Sequence, residues 1–225
     1  NSSYTAKPIA DIEMKEWQEE ILAQIHARKP RRVLEIGCGS GLLLFNVAHQ
    51  CEEYWATDLS ATAIQRAQRI AKEKGLDNVK FLNRPGHLFE GIPTQSFDLV
   101  IINSVIQYFG GMDYLVDVLE GAKEVVREGG GIFLGDVRSL PLLPAYHASV
   151  QLYQASGETT RDQLAQSVRT KMALEEELVI APEFFQAVSE EWERVSGVQL
   201  STRRGIHANE MSKFRYDVLL SIGEQ

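Results

Sequence analysis

The chain has 225 residues, 44% of them hydrophobic and 24% charged, which is enough for one large domain with a full core and a small appended lid. A formal net charge of −8 and an isoelectric point near 5.2 argue against binding nucleic acid through the overall field, so small molecules or protein-borne substrates fit better. Cys38 and Cys51 are too few for a disulfide framework, no apolar run approaches the ~20 residues that span a bilayer, and no basic segment leads into an apolar one at the N-terminus, so the reading is a cytoplasmic protein without membrane contact.

In chain order, residues 11–28 have the pattern of an amphipathic lead-in helix, followed by an apolar strand at 32–36. A glycine-dense turn at 37–41 opens a helix over 42–50, and a strand at 54–57 leads to a helix over 61–74 capped by Ser60. Strands at 79–82 and 97–103, a helix at 113–127 and a strand at 131–136 continue the alternation, the signature of a parallel sheet covered by helices on both faces. The rhythm then breaks. Helical patterns at 141–155, 160–178 and 182–192 precede strands at 197–202 and 213–221, whose short polar link, Arg203 to Ser212, suits an antiparallel hairpin at the sheet edge.

The stretch Val33-Leu34-Glu35-Ile36-Gly37-Cys38-Gly39-Ser40-Gly41 runs an apolar strand straight into a turn that lets a ligand lie against bare backbone. It is not the dinucleotide fingerprint G-x-G-x-x-G, because the position of its last glycine is Leu42. Glu35 favours a ligand with positive charge near the turn, and S-adenosylmethionine, with its sulfonium and amino groups, is such a ligand. Cys38 need only be small there. In an open α/β sheet the ligand sits beyond the carboxyl ends of the strands. Asp58, followed by Leu59, ends the second strand, where a carboxylate can accept both hydroxyls of a ribose. Gly86 and His87, in the segment after the third strand, are placed where an adenine can lie, although the His87 ring also reads as structural, like His26 and His49. Asn103 and Ser104 end the fourth strand, facing the methionine part.

Glu35 to Gly41, Asp58, Phe97-Asp98-Leu99-Val100 and the segment from Gly129 to Gly135 resemble the successive motifs of class I S-adenosylmethionine-dependent methyltransferases. More narrowly, Asn1-Ser2-Ser3-Tyr4-Thr5, Asn103 to Phe109, Gly135-Asp136-Val137-Arg138-Ser139 and Asn209-Glu210 followed by Phe214-Arg215-Tyr216 resemble the methyltransferase domains embedded in polyketide synthases and nonribosomal peptide synthetases. An N-terminus at Asn1 without Met agrees with a segment of a longer polypeptide. The resemblance implies a Rossmann-like, seven-stranded, mostly parallel sheet with an antiparallel last strand. It divides one domain into an N-terminal lid and helix (1–28), a cofactor-binding core (29–136), a helical acceptor region (137–192) and a C-terminal strand pair (193–225). It also implies an N-terminal lid in which Tyr4 closes over the cofactor, a substrate tethered to an acyl carrier protein, and neighbouring domains of a megasynthase as partners.

The acceptor in such domains is oxygen, nitrogen or carbon. His147 and His207 stand where the nitrogen type does not usually place histidines, which favours the oxygen type; an aminoacyl nitrogen is the alternative. An alcohol must lose a proton during methyl transfer, and a histidine oriented by a carboxylate is the natural base. His147 is accordingly read as the base, Glu210 as the carboxylate that polarises a histidine, and His207 as the alternative base. Asp136 and Arg138 are read as an ion pair, Gln107, Tyr108 and Tyr153 as pocket walls, and Glu175-Glu176-Glu177 as a solvated helix face. No metal-ligand spacing occurs. The stacking Asn/Asp-Pro-Pro-aromatic signature of nucleic-acid amino-methyltransferases and the glutamate pair of protein arginine methyltransferases are missing after the fourth strand. A catalytically silent cofactor-binding domain and a nicotinamide-dependent reductase are the competing classes.

Overall fold

A computed structural model describes residues 2–203 and 205–223. Seven strands, β1 (Arg32–Ile36), β2 (Glu53–Asp58), β3 (Val79–Asn83), β4 (Phe97–Asn103), β5 (Val126–Arg138), β6 (Val195–Thr202) and β7 (Arg215–Ile222), form one sheet in the order β3-β2-β1-β4-β5-β7-β6. Strands β1 to β5 are parallel, while β7 runs antiparallel to both neighbours, β5 and β6. The last two strands do form the expected antiparallel pair. However, β7 is inserted beside β5 and leaves β6 at the edge.

Helices α1 (Asp11–His26), α2 (Leu44–Val47), α3 (Ala61–Glu73), α4 (Met112–Val125), α5 (Leu143–Gln154), α6 (Arg161–Ala173), α7 (Pro182–Glu191) and α8 (Glu210–Lys213) cover the sheet and its carboxyl edge. Central strands read as unbroken apolar runs because both of their faces are covered. Alternate residues go to opposite sides: Leu34, Ile36, Val100 and Ile102 pack with Leu115, Leu119 and Phe185, whereas Val33, Leu99 and Ile101 pack with Trp17, Ile21, Ile25 and Leu44. The Ser60 cap is present, its hydroxyl accepting from Ala63 N at 3.2 Å.

Three segments depart from the sequence-based reading. The helix expected over 42–50 is one α turn followed by a 3-10 turn at Ala48–Gln50. The helix expected to reach 178 stops at Ala173, and the residues beyond it form a strap across the sheet's carboxyl edge. Leu178 N donates to Gln107 O (3.0 Å), Ile180 N to Arg138 O (2.9 Å) and Leu140 N to Ile180 O (3.1 Å), so the glutamates 175–177 lie on this strap and not on a helix face. The polar link between β6 and β7 contains α8, capped by Asn209, whose side chain accepts from Met211 N and Ser212 N.

Asp136 and Arg138 do not pair with each other. Residues two apart on a regular strand share a face, but the β5–β7 register shifts between Leu134 and Val137, and Asp136 has a left-handed φ of 66°. The bulge turns Asp136 into the sheet edge, where it is 1% exposed and accepts from Ser104 Oγ (2.8 Å), Trp17 Nε1 (3.3 Å) and Arg215 Nη1 (2.5 Å). Its own backbone N–H donates to Asp217 (2.8 Å), which also accepts from Arg203 Nη2 (2.8 Å) and Gln24 Nε2 (2.7 Å). Two buried carboxylates are thus neutralised by two arginines from the C-terminal segment. Arg203→Met removes one of these cations and leaves carboxylate charge uncompensated, with an expected loss of about 3–5 kcal/mol in urea unfolding.

Candidate active site

The turn after β1 is tied to β2 by Gly37 N and Cys38 N, which both donate to Thr57 O (2.8 and 2.9 Å). Its three glycines differ in what they do. A Cβ at Gly37 would come within 2.7 Å of Val105 and one at Gly41 within 2.4 Å of Phe45, so those two positions are closed by packing. A Cβ at Gly39 would meet nothing within 4 Å, so here the turn leaves its backbone open. Gly39 N donates to Asp58 Oδ2 (2.8 Å), while Ser60 N donates to Asp58 Oδ1 (2.8 Å). Each oxygen keeps further acceptor capacity, as a pair of ribose hydroxyls requires. Beside it Leu59 is 74% exposed, an apolar surface suited to a purine face, and Asn83 Nδ2 pins the loop by donating to the carbonyls of Asp58 and Leu59 (2.8 Å each).

Gly86 N donates to the Tyr114 hydroxyl (3.1 Å), and the His87 ring meets the Tyr114 ring edge-on at 4.9 Å, so α4 braces the segment proposed for adenine. Glu35 is buried and accepts from the Tyr54 hydroxyl (2.8 Å); burial pushes its carboxyl up to about 7. Burial, with Glu35 and Asp58 nearby, also pushes the Cys38 thiol far up and keeps it protonated. Asn103 donates to Ser104 Oγ (3.2 Å), and Ser104 has a left-handed φ of 54° while its hydroxyl holds Asp136. Two residues with left-handed backbone thus stand at the ends of the adjacent strands β4 and β5. The open backbone at Gly39, the acceptor capacity of Asp58 and the exposed Leu59 fit S-adenosylmethionine.

Next to this edge lies a cleft of about 820 Å³, lined by residues from the N-terminal segment, β4–α4 loop, β5, α5, the strap and α8. His147 lies in it, with Nε2 3.2 Å from Glu175 Oε2. Arg138 grips both oxygens of Glu175 at 2.8 Å and reaches Glu177 at 2.8 Å, which holds the Glu175 carboxyl below the usual carboxylate range. The carboxylate beside His147 is therefore Glu175 and not Glu210. Glu210 also lines the cleft, but it accepts from Ser2 Oγ (3.2 Å), Ser3 N (2.9 Å) and Ser3 Oγ (3.0 Å), and so tethers the N-terminal segment.

His207 lies outside the cleft. Its Nδ1 is 2.7 Å from Glu16 Oε2, and Glu16 also accepts from the backbone N–H groups of Ile206 and His207, which hold its carboxyl low. Tyr4 shares a 2.7 Å hydrogen bond with Ser149 and packs edge-on against Tyr153 at 5.5 Å, both on α5. Tyr153 is exposed there, whereas Gln107 and Tyr108 line the cleft as expected. The strap residues were missed from sequence; the apolar run Leu178-Val179-Ile180 after the acidic triplet was the available sign that the helix had ended. Among the described residues no His, Cys, Asp or Glu group is arranged to hold a metal ion, and no helix is long and apolar enough to cross a membrane.

Fold and site together define a class I S-adenosylmethionine-dependent methyltransferase. Residues 27–194 match the methyltransferase domain family model, and the chain belongs to that family. It is 44% identical over 223 residues to chondramide synthase cmdD of Chondromyces crocatus and 42% identical over 223 residues to a probable non-canonical nonribosomal peptide synthetase, CymA, of Salinispora arenicola. These matches cover 99% of this chain but only 6% and 3% of the two relatives, so the chain spans a small part of the proteins it resembles. Among solved structures, the N-methyltransferase NodS of Bradyrhizobium japonicum in complex with S-adenosylhomocysteine aligns over 100% of both chains with a TM-score of 0.61 at 14% identity. The PH0226 protein of Pyrococcus horikoshii aligns over 98% of this chain and 95% of its own with a TM-score of 0.64 at 18% identity; at these identities the likeness is one of fold.

The three glycines separate experimentally. Gly41→Ala drives a Cβ into Phe45 at a positive φ and is expected to lower stability by about 2 kcal/mol in urea unfolding. Gly39→Ala meets no atom, so it loses about 1 kcal/mol of stability yet weakens S-adenosylhomocysteine binding far more than Gly41→Ala does when each is titrated calorimetrically. A second outcome follows from Glu35. Because burial raises its carboxyl from 4.5 to about 7, the folded protein keeps a proton that the unfolded chain has released between those values, and stability falls as pH rises through that window. Glu35→Gln does not titrate, so it should gain about 2–3 kcal/mol on the parent between pH 5 and pH 8.

Proposed function

We propose that this chain is the methyltransferase domain of a nonribosomal peptide synthetase and methylates the amino nitrogen of an aminoacyl unit tethered to a carrier protein, with neighbouring domains of the same assembly line as its partners. The observation that carries this reading is the state of the cleft. Its one histidine among the described residues has Nε2 engaged by a carboxylate that Arg138 already clamps, and five carboxylates, Asp136, Glu175, Glu176, Glu177 and Glu210, line it against Arg138 and Arg215.

S-adenosylmethionine supplies a methyl group on a sulfonium, which the acceptor's lone pair takes as the carbon–sulfur bond breaks. A neutral amine brings that lone pair without prior proton removal and becomes a cation, whereas an alcohol needs a base. An acidic wall stabilises the charge that grows on nitrogen and passes the released proton towards solvent. The task left to the protein is to orient the acceptor and exclude water. Membership of peptide synthetases among the relatives supports an amino-acid acceptor.

The hydroxyl acceptor is the second reading, and the His147–Glu175 contact favours it, since a carboxylate on Nε2 leaves Nδ1 as the basic nitrogen. A carrier protein loaded in parallel with an aminoacyl and the matching hydroxyacyl thioester, incubated with the domain and S-adenosylmethionine, separates the two by mass spectrometry. The amine reading expects the aminoacyl carrier to gain one methyl group and His147→Gln to retain activity within about tenfold, because general-base loss removes 100-fold or more. Methylation confined to the hydroxyacyl carrier and abolished in His147→Gln would establish the oxygen reading instead.

A further inference from the structure

Gln107 and Ser139 are the two buried polar side chains in the cleft whose hydrogen-bonding groups nothing above uses. Each is 7% exposed, each lines the cleft, and neither side chain has a hydrogen-bond partner among the described residues. A carboxamide or hydroxyl buried to that extent is normally paired within the protein. Neither is among the polar atoms sealed off without a partner, so their polar ends open to the cleft.

Both positions are fixed by backbone. Gln107 sits in a one-turn 3-10 helix, Ile106–Tyr108, directly after the strained Ser104, and its carbonyl accepts from Leu178 N of the strap (3.0 Å). Ser139 follows the β5 bulge; it donates its N–H to Phe214 O (3.0 Å) and forms an isolated parallel bridge with Ile180 of the same strap. The strap thus rigidly holds the backbone of two unpaired polar groups at the ends of β4 and β5, as a recognition site on a scaffold requires.

We propose that Gln107 is the residue that positions the acceptor, and that Ser139 assists it. This rests on the aminoacyl reading above. A carboxamide offers an acceptor and a donor on one planar group. Its Oε1 takes an N–H of the acceptor amine and turns the nitrogen lone pair towards the incoming methyl, while its Nε2–H and the Ser139 hydroxyl donate to the carbonyl of the thioester. A hydroxyacyl unit can also donate from its O–H, but then its lone pair still awaits deprotonation. The arrangement recognises the α-aminoacyl unit common to all amino acids and leaves the variable side chain to the rest of the cleft.

The test compares Gln107→Leu, Gln107→Glu and Ser139→Ala with the parent domain, using an aminoacyl-pantetheine thioester and its hydroxyacyl counterpart as acceptors and S-adenosylhomocysteine titration as the control for fold and cofactor site. Gln107→Leu should lose about 10- to 100-fold in kcat/KM for the aminoacyl thioester, with S-adenosylhomocysteine affinity changed less than about twofold. Gln107→Glu keeps the acceptor oxygen and should recover part of that loss. Ser139→Ala should lose about fivefold, mainly in KM. If the parent methylates the aminoacyl thioester and Gln107→Leu keeps its kcat/KM within twofold while S-adenosylhomocysteine binding is intact, the positioning role is wrong and the aminoacyl reading stands. If the parent methylates only the hydroxyacyl thioester, the aminoacyl reading falls and this assignment with it.

Discussion

The bulge at Asp136 is the constraint on which the cleft depends. A regular β5 would put Asp136 and Arg138 on one face, side by side, where they would neutralise each other and bind nothing else. One left-handed residue separates them. Asp136 turns inward to gather Ser104, Trp17 and Arg215, linking β4, α1 and β7 beneath the cleft. Arg138 is released to reach the strap, where it closes on Glu175 and Glu177. Two ion-pair systems from distant parts of the chain therefore owe their separation to a local backbone choice that is unfavourable in itself.

The cleft wall is consequently built from charges that are largely spoken for. Glu175 and Glu177 face Arg138, Glu210 holds the N-terminal serines, and Asp136 holds Arg215. Partly buried pairs of this kind add little net stability, because desolvation offsets much of the attraction. They do fix geometry: Arg138 makes a forked contact that tolerates little rotation, and the Tyr146 ring lies 5.5 Å from its guanidinium. The N-terminal segment is drawn into the same assembly, since the Tyr146 hydroxyl donates to Ser3 Oγ (2.7 Å) and Gln154 donates to the Ser3 carbonyl (2.8 Å).

The sheet and the contact between the glycine turn and Asp58 were legible because their determinants are local, although β5 starts at Val126 and not at 131. A strand running into glycines at 37, 39 and 41, and an acid at 58 ending the next strand, specify geometry within one βαβ unit, and Asp58 meets Gly39 as that unit dictates. The acceptor side was not legible in the same way. His147 was found, but its partner Glu175 lies 28 residues away beyond a helix whose end no glycine or proline marks. Glu210 and His207, only three residues apart in sequence, face different elements because the short helix α8 starts between them. Charged residues have many candidate partners in a sequence, and only the tertiary path of the strap and the bulge in β5 selects among them.

This division has a consequence for how such a domain can change its acceptor. The glycine turn is held mainly by backbone donors, Gly39 and Ser60 on Asp58 and Gly37 and Cys38 on Thr57, so its side chains are few and closely constrained. The cleft is assembled mainly from side chains on β5, α5, the strap and α8, and it meets the glycine turn through the β4–α4 loop, where Val105 packs on Gly37. On the proposed assignment, substitutions in the strap or at Ser139 would alter the acceptor cleft while leaving the Asp58–Gly39 contact of the glycine turn in place. The same separation explains why a histidine in the acceptor region is weak evidence for an oxygen acceptor. Its position is governed by the Arg138–Glu175 clamp, which orders the wall whichever atom receives the methyl group.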